Sequence, residues 1–268
     1  MPACSRACFV SSEGRLMVLP APVRGKPATN DALGIADRVD KVSESVSGLH
    51  TVRKSGQSSD TARFVDEQVQ GLVRQVFIPG YPRPAHQAVF SGASPDVRSE
   101  KVCIRVAEAL AAEGAFQVCA VEADIRTRSM EIEFGGTNTG GRRPLELAEA
   151  VRMSSLQVSS HLWLVPAETF LGTAASARSP AWLRSRLGSL RREFDYAVIH
   201  GPSAGSGCEA SLLGHLADGL VLVLEAHRTR RITIQNIRES LQSSNVRLLG
   251  AVLTERRFPI PEGLYRRL

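Results

Sequence analysis

Six short apolar runs recur between Ala88 and Leu253 of this 268-residue chain, and none of them alternates with polar residues. The runs are Ala88-Val89-Phe90, Val118 to Val121, Leu162 to Val165, Tyr196 to Ile199, Leu220 to Leu224 and Leu248 to Leu253. A strand with one wet face reads apolar-polar-apolar; a continuous apolar run is a strand covered on both faces. Helical periods separate the runs: Glu100 to Glu113 (Val102, Val106, Ala109 and Leu110 on one side), Leu145 to Met153, Ala181 to Glu193, and Ile232 to Leu241. Strands alternating with helices predict an α/β, doubly wound, mostly parallel sheet with helices on both faces, spanning 87–268. Aromatics are only 5% of residues, so the core is aliphatic. No apolar run reaches the ~18–20 residues of a membrane span, and the N-terminus lacks a secretory apolar stretch. The five cysteines (Cys4, Cys8, Cys103, Cys119, Cys208) are scattered and odd in number, which points to reduced thiols and a cytoplasmic location.

The residues before this region differ. Residues 1–60 are rich in Ser, Gly, Pro and mixed charge, a composition that cannot bury enough apolar surface and predicts a disordered arm. Cys4 and Cys8 form a lone pair without a second metal-ligand pair. Residues 61–80 predict an amphipathic helix: Phe64, Val65, Val69, Leu72, Val73, Val76 and Phe77 form one stripe, ended by Pro79-Gly80. The stripe either packs on the following domain or serves as an oligomerisation surface. The net charge of +6 comes without a Lys/Arg block interleaved with aromatics, so nucleic acid is not the expected partner.

In a doubly wound sheet, ligands lie beyond the carboxyl ends of the strands. Four segments fall there. The first is Ser91-Gly92-Ala93-Ser94-Pro95-Asp96-Val97-Arg98-Ser99-Glu100-Lys101, a strand, a turn of small residues and a helix start. The second is Val121-Glu122-Ala123-Asp124-Ile125-Arg126, the third Phe194 to Pro202 with His200 at the strand end, and the fourth Gly250 to Thr254. Glu122, Asp124 and His200 at neighbouring strand ends also present a transition-metal alternative. Gly201-Pro202-Ser203-Ala204-Gly205 fits the G-x-S-x-G pattern of a hydrolase nucleophile, with Asp218 and His227 following in order, but no oxyanion segment accompanies it.

Taken together, these motifs resemble the P-loop ATPase domain of bacterial tyrosine autokinases of capsule and exopolysaccharide synthesis, in the class that includes the MinD and ParA ATPases. The family's first loop reads strand–Ser–Ala–x–Pro–Gly–x–Gly–Lys–Ser/Thr–Thr. Its second motif reads Ile–Asp–Ala–Asp–Leu–Arg, matched by Val121 to Arg126. Its Walker B strand reads Phe–Asp–Tyr–Val–Ile–Ile–Asp–x–Pro–Pro, matched by Phe194 to Pro202. Leu162 to Ala167 and Leu216 to Ala226 match further family segments, so the resemblance covers about Thr61 to Leu268. It implies a P-loop NTPase fold.

The departures fall on the chemistry. In the first loop Pro95 is retained, but Asp96 and Arg98 stand at the two glycine positions, Ser99 at the phosphate-gripping lysine and Glu100 at the magnesium hydroxyl. Two carboxylates there would repel a triphosphate by about 4 kcal/mol per contact at ~4 Å. Lys101, two positions late, is turned roughly 200° away. Glu122 replaces the activating Asp, Asp124 and Arg126 are kept, His200 replaces the metal-coordinating Asp, and Thr254 replaces an adenine-side Asn. Imidazole is a poor magnesium ligand. Only Tyr81, Tyr196 and Tyr265 exist, so the family's C-terminal tyrosine cluster is missing.

The resemblance with these departures implies a degenerate protein with no cofactor, a regulator or adaptor of polysaccharide synthesis and export. The implied partner is a membrane-embedded chain-length or co-polymerase protein, with self-association and a location at the inner face of the plasma membrane. One alternative is an active ATP/Mg²⁺-dependent tyrosine kinase or ATPase with a site rebuilt from Glu122, Asp124 and Lys101. Another is a ParA/MinD-like positioning protein using Arg228, Arg230 and Arg231.

Overall fold

The computed structural model describes residues 6–8, 18–20, 57–78, 84–124, 126, 130, 133–134, 151–172 and 179–255. The predicted strands form in place: β1 Gln87–Gly92, β2 Val118–Glu122, β4 Leu162–Val165, β5 Tyr196–His200, β6 Leu220–Glu225 and β7 Leu248–Thr254. An additional two-residue strand, β3 Leu156–Gln157, closes one edge. The sheet order is β3-β4-β2-β5-β1-β6-β7. All pairs are parallel except the β3–β4 edge pair. This is the expected doubly wound α/β sheet.

Because side chains alternate across a strand, each apolar run feeds two cores. One face of the sheet carries Ala88, Phe90, Val118, Ala120, Val198, Val221 and Val223 against α1 (Gln57–Val76) and α2 (Ser99–Ala112). The other carries Val89, Val121, Ile199 and Leu222 against α3 (Ala167–Leu171), α4 (Pro180–Glu193), α5 (Glu209–Leu216) and α6 (Arg231–Ser243). The α4 start is fixed locally: the Ser179 hydroxyl accepts from the Trp182 N–H and Pro180 occupies the first turn.

The stripe of α1 is covered by the chain itself. Val65, Val69, Leu72, Val73, Val76 and Phe77 are all buried in the core shared with α2. Of the two readings of that stripe, packing on the following domain is the one realised. Tyr196 closes this side, edge-on to Phe77 at 5.6 Å and to Phe116 at 5.0 Å. Burial raises its phenol pKa.

Two sequence expectations change. Helix α3, five residues long, and α5, eight residues long, are too short to show a period. Of the helix expected over 145–153, residues 145–150 lie outside the described set and Val151–Ser154 form a 3₁₀ turn. Most of the first sixty residues, Cys4, Tyr81 and Tyr265 also lie outside it; within the arm, Arg6–Cys8 and Val18–Pro20 pair antiparallel. No helix among the described residues is long and apolar enough to cross a membrane.

Two cysteines sit inside this packing. Burial drives the Cys103 thiol pKa well up, helped by the carboxylates of Glu122 and Glu100. Burial does the same at Cys119, with Glu193 adding to it. Cys208 is exposed. Thiolate is the reactive form. A thiol reagent at neutral pH is therefore expected to modify Cys208 in the native protein and to spare Cys103 and Cys119 until denaturant is added; peptide mapping reads the difference.

Candidate functional site

Strands β2, β5 and β1 are neighbours, and their registers set Glu122 and Phe90 on either side of His200. The carboxyl ends of these strands therefore deliver an acid and an imidazole to one place, with the β1–α2 turn beside them. That turn is held on both flanks. The Ala93 N–H donates to Val223 O at 2.9 Å, the Ala204 N–H donates to Gly92 O at 2.9 Å, and the Ser91 hydroxyl donates to Pro202 O at 2.5 Å. Gly92 is required by the tightness of the turn, since a Cβ there would lie 3.0 Å from Ser94 O and 3.1 Å from Val97 Cβ. A Cβ on Gly205 would run into the Ala93 carbonyl, so the loop after β5 lies directly on the turn.

Two of the turn's amides are spent internally. The Val97 N–H donates to Ser94 O at 3.1 Å, and the Ser99 N–H donates to Val97 O at 2.8 Å. The second bond spans Arg98, whose φ of −75° and ψ of 67° make an inverse γ-turn. A phosphate cradle instead aims successive amides at the anion.

Ser99, the first residue of α2, then points its hydroxyl inward. Its Oγ lies 3.0 Å from His200 Nε2, and His200 Nδ1 lies 2.6 Å from Glu122 Oε1. The other Glu122 oxygen accepts from the Met130 N–H at 3.0 Å. Glu122 is fully buried, and Ser99 and His200 are 3% and 4% exposed. An acid at Nδ1 fixes the tautomer: Nδ1–H donates to the carboxylate, leaving Nε2 to accept from the serine hydroxyl. The three groups form one satisfied buried chain, serine to imidazole to carboxylate.

The other expected residues are placed apart from it. Asp124, just past β2, accepts from the Arg126 backbone N–H at 3.1 Å and from its guanidinium at 3.0 and 3.1 Å. Burial pushes the Asp124 carboxyl up, but the Arg126 hydrogen bonds and charge, with His200, outweigh this and leave it below its ordinary value. The Thr254 hydroxyl, at the end of β7, donates to Leu224 O at 3.0 Å. Pro95, Asp96, Arg98 and Lys101 are exposed on the outside of the turn and α2, and Glu100 is half-buried.

Two alternatives are corrected. Glu122, Asp124 and His200 do not converge on one point: both imidazole nitrogens are engaged and Asp124 is paired with Arg126. Among the described residues no group of His, Cys, Asp or Glu is placed to share a metal ion. Nor does Ser203 belong to a hydrolase triad with Asp218 and His227. Asp218 precedes β6, at the opposite end of the sheet, where it accepts from the His86 and Gln87 N–H groups and from Arg191. The Ser203 hydroxyl is buried and has no hydrogen-bond partner among the described residues. The motifs singled out Ser99, Glu122 and His200 one at a time; that they touch was not visible in them. The available signal was that three substitutions in three separate segments each introduced a group able to bond to the next.

Comparison with known proteins fits this architecture. No family model matches the chain. The tyrosine-protein kinase YwqD of Bacillus subtilis (strain 168) is 22% identical over 70% of this chain and 79% of its own length. The tyrosine-protein kinase CpsD of Streptococcus agalactiae serotype III (strain NEM316) is 22% identical over 54% of this chain and 63% of its own. Among solved structures, the VpsO kinase domain superposes with a TM-score of 0.58 at 17% identity, covering 73% of this chain and 98% of that one. MinD of Aquifex aeolicus, in its MinC:MinD complex, gives 0.52 at 17% identity, covering 68% and 72%. In sequence the chain is similar to bacterial tyrosine-protein kinases, and it shares the P-loop NTPase fold of their kinase domains and of MinD.

Proposed function

We propose that this protein is a catalytically degenerate member of that family, acting as a regulator or adaptor in bacterial capsule or exopolysaccharide biosynthesis and export. The observation that carries the reading is the buried Ser99–His200–Glu122 chain. On the family pattern its members stand at the phosphate-gripping lysine, the metal-coordinating acid and the activating acid. The residues present do not fit Mg-ATP. A magnesium ion wants hard oxygen ligands and a triphosphate wants a cation. Here an imidazole with both nitrogens bonded and a neutral hydroxyl fill those places, and Asp124 is held by Arg126. The turn's Ser99 and Val97 amides are bonded within the turn. Buried Tyr196 is no phosphate acceptor.

Action then falls to surfaces. The family relation supports a membrane-embedded chain-length or co-polymerase protein as partner, self-association, and a position at the inner face of the plasma membrane. Isothermal titration with Mg-ATP tests the core of this reading. No heat of binding is expected at micromolar nucleotide. Micromolar binding that disappears in Asp124→Ala would replace the reading with that of an active enzyme having a rebuilt site.

A further inference from the structure

We infer that Ser99 is an activated nucleophile, able to form an acyl-serine with a small uncharged ester. A serine becomes nucleophilic when a base takes its proton and a third group orients that base. The geometric signature is a nucleophile–base contact and a base–acid contact, each of about 2.6–3.2 Å. Both are present, at 3.0 Å from Ser99 Oγ to His200 Nε2 and 2.6 Å from His200 Nδ1 to Glu122 Oε1. The acid is anchored in turn by the Met130 N–H.

The placement agrees with the geometry. Ser99 follows a strand and a tight turn and opens a 14-residue helix. The first N–H groups of a helix have no partner within it, so those following Ser99 are available to a developing oxyanion. His200 and Glu122 come from the adjacent strand ends of β5 and β2, and Ser99 from the start of α2, beyond the turn that follows β1. Burial of His200 and Glu122 holds the relay in one geometry. The turn over Ser99 has exposed Pro95, Asp96 and Arg98 on its outside and is closed by the Val97 and Ser99 backbone bonds, so an ester reaches the hydroxyl by displacing that turn. Among the described residues no cation faces inward to hold an anionic substrate, since Arg98 and Lys101 are exposed and Arg126 is paired with Asp124. This sets the uncharged class.

The step balances. Ser99 Oγ bonds to the acyl carbon as its proton passes to His200 Nε2, and Glu122 stabilises the imidazolium. The alkoxy group leaves with that proton as an alcohol. Water then attacks the acyl-serine, gives its proton to Nε2, and releases the acid while the hydroxyl is restored. The chemistry needs no nucleotide, so it stands or falls separately from the Mg-ATP titration.

The experiment uses a fluorophosphonate probe on the full chain, with intact-mass and peptide mapping. Ser99 Oγ would bond to phosphorus and displace fluoride. One adduct on Ser99 is expected, absent from Ser99→Ala. His200→Gln keeps an N–H for Glu122 but has no base, so its labelling should fall about a hundredfold, the lower end of what a general base supplies. Ser203→Ala, which alters another buried serine near the site, should label at the parent rate, with a thermal melt showing that each variant is folded. No adduct on the parent chain, an adduct elsewhere, or full-rate labelling of folded His200→Gln overturns the assignment.

Discussion

Replacing His200 by alanine is expected to destabilise the protein by about 3–5 kcal/mol. The imidazole is Glu122's side-chain partner at 2.6 Å, and its loss leaves a fully buried carboxylate whose remaining partner among the described residues is the Met130 N–H. The Ser99 hydroxyl loses its acceptor in the same stroke. For a domain of this size the melting temperature should drop by about 10 °C. A second substitution separates lost packing from the stranded charge. Glu122→Leu in the His200→Ala background removes the unpaired group, and should recover at least about 1 kcal/mol because an apolar pair often replaces a buried polar one at little cost. A single-variant loss below about 1 kcal/mol would mean that the carboxylate does not depend on the imidazole, and the buried chain would lose its standing as the organising feature of the site.

Leu72→Ala is expected to cost about 2–5 kcal/mol, the range for emptying a buried leucine site. Leu72 is 2% exposed and packs within the core that α1 shares with α2. The loss should appear as a lower denaturation midpoint with an unchanged slope, since the same surface is exposed on unfolding. Glu67→Ala, on the exposed side of the same helix, should stay within about 0.5 kcal/mol of the parent. A Leu72→Ala protein of parent stability that changed its oligomeric state would return the stripe to a role between chains.

The fold was readable because both-sided burial leaves a trace: Val118 to Val121 and Leu220 to Leu224 have no polar interruption, and their alternation with helical periods selects a covered parallel sheet. The edge pair β3 and the short helices α3 and α5 left no such trace, since two to eight residues cannot display a period. At the site, strand ends and a topological rule located Glu122, His200 and the β1–α2 turn. Side-chain direction lay beyond that rule. Asp96 and Glu100 looked decisive by charge, yet Asp96 is exposed and Glu100 half-buried, while the interior is set by Ser99, the least conspicuous residue of the turn. Asp124 matched the family motif, but Arg126, two residues on, takes its carboxylate.

The mutual dependence of serine, imidazole and carboxylate constrains the routes by which this sequence can change. Ser99→Lys by itself brings an ammonium up against His200 rather than an anion, and His200→Asp by itself sets a second acid beside Glu122. Each of these two steps passes through an intermediate less stable than its starting point. Such an interlock works as a ratchet: drift around it is free, while reversal demands several coordinated replacements at once.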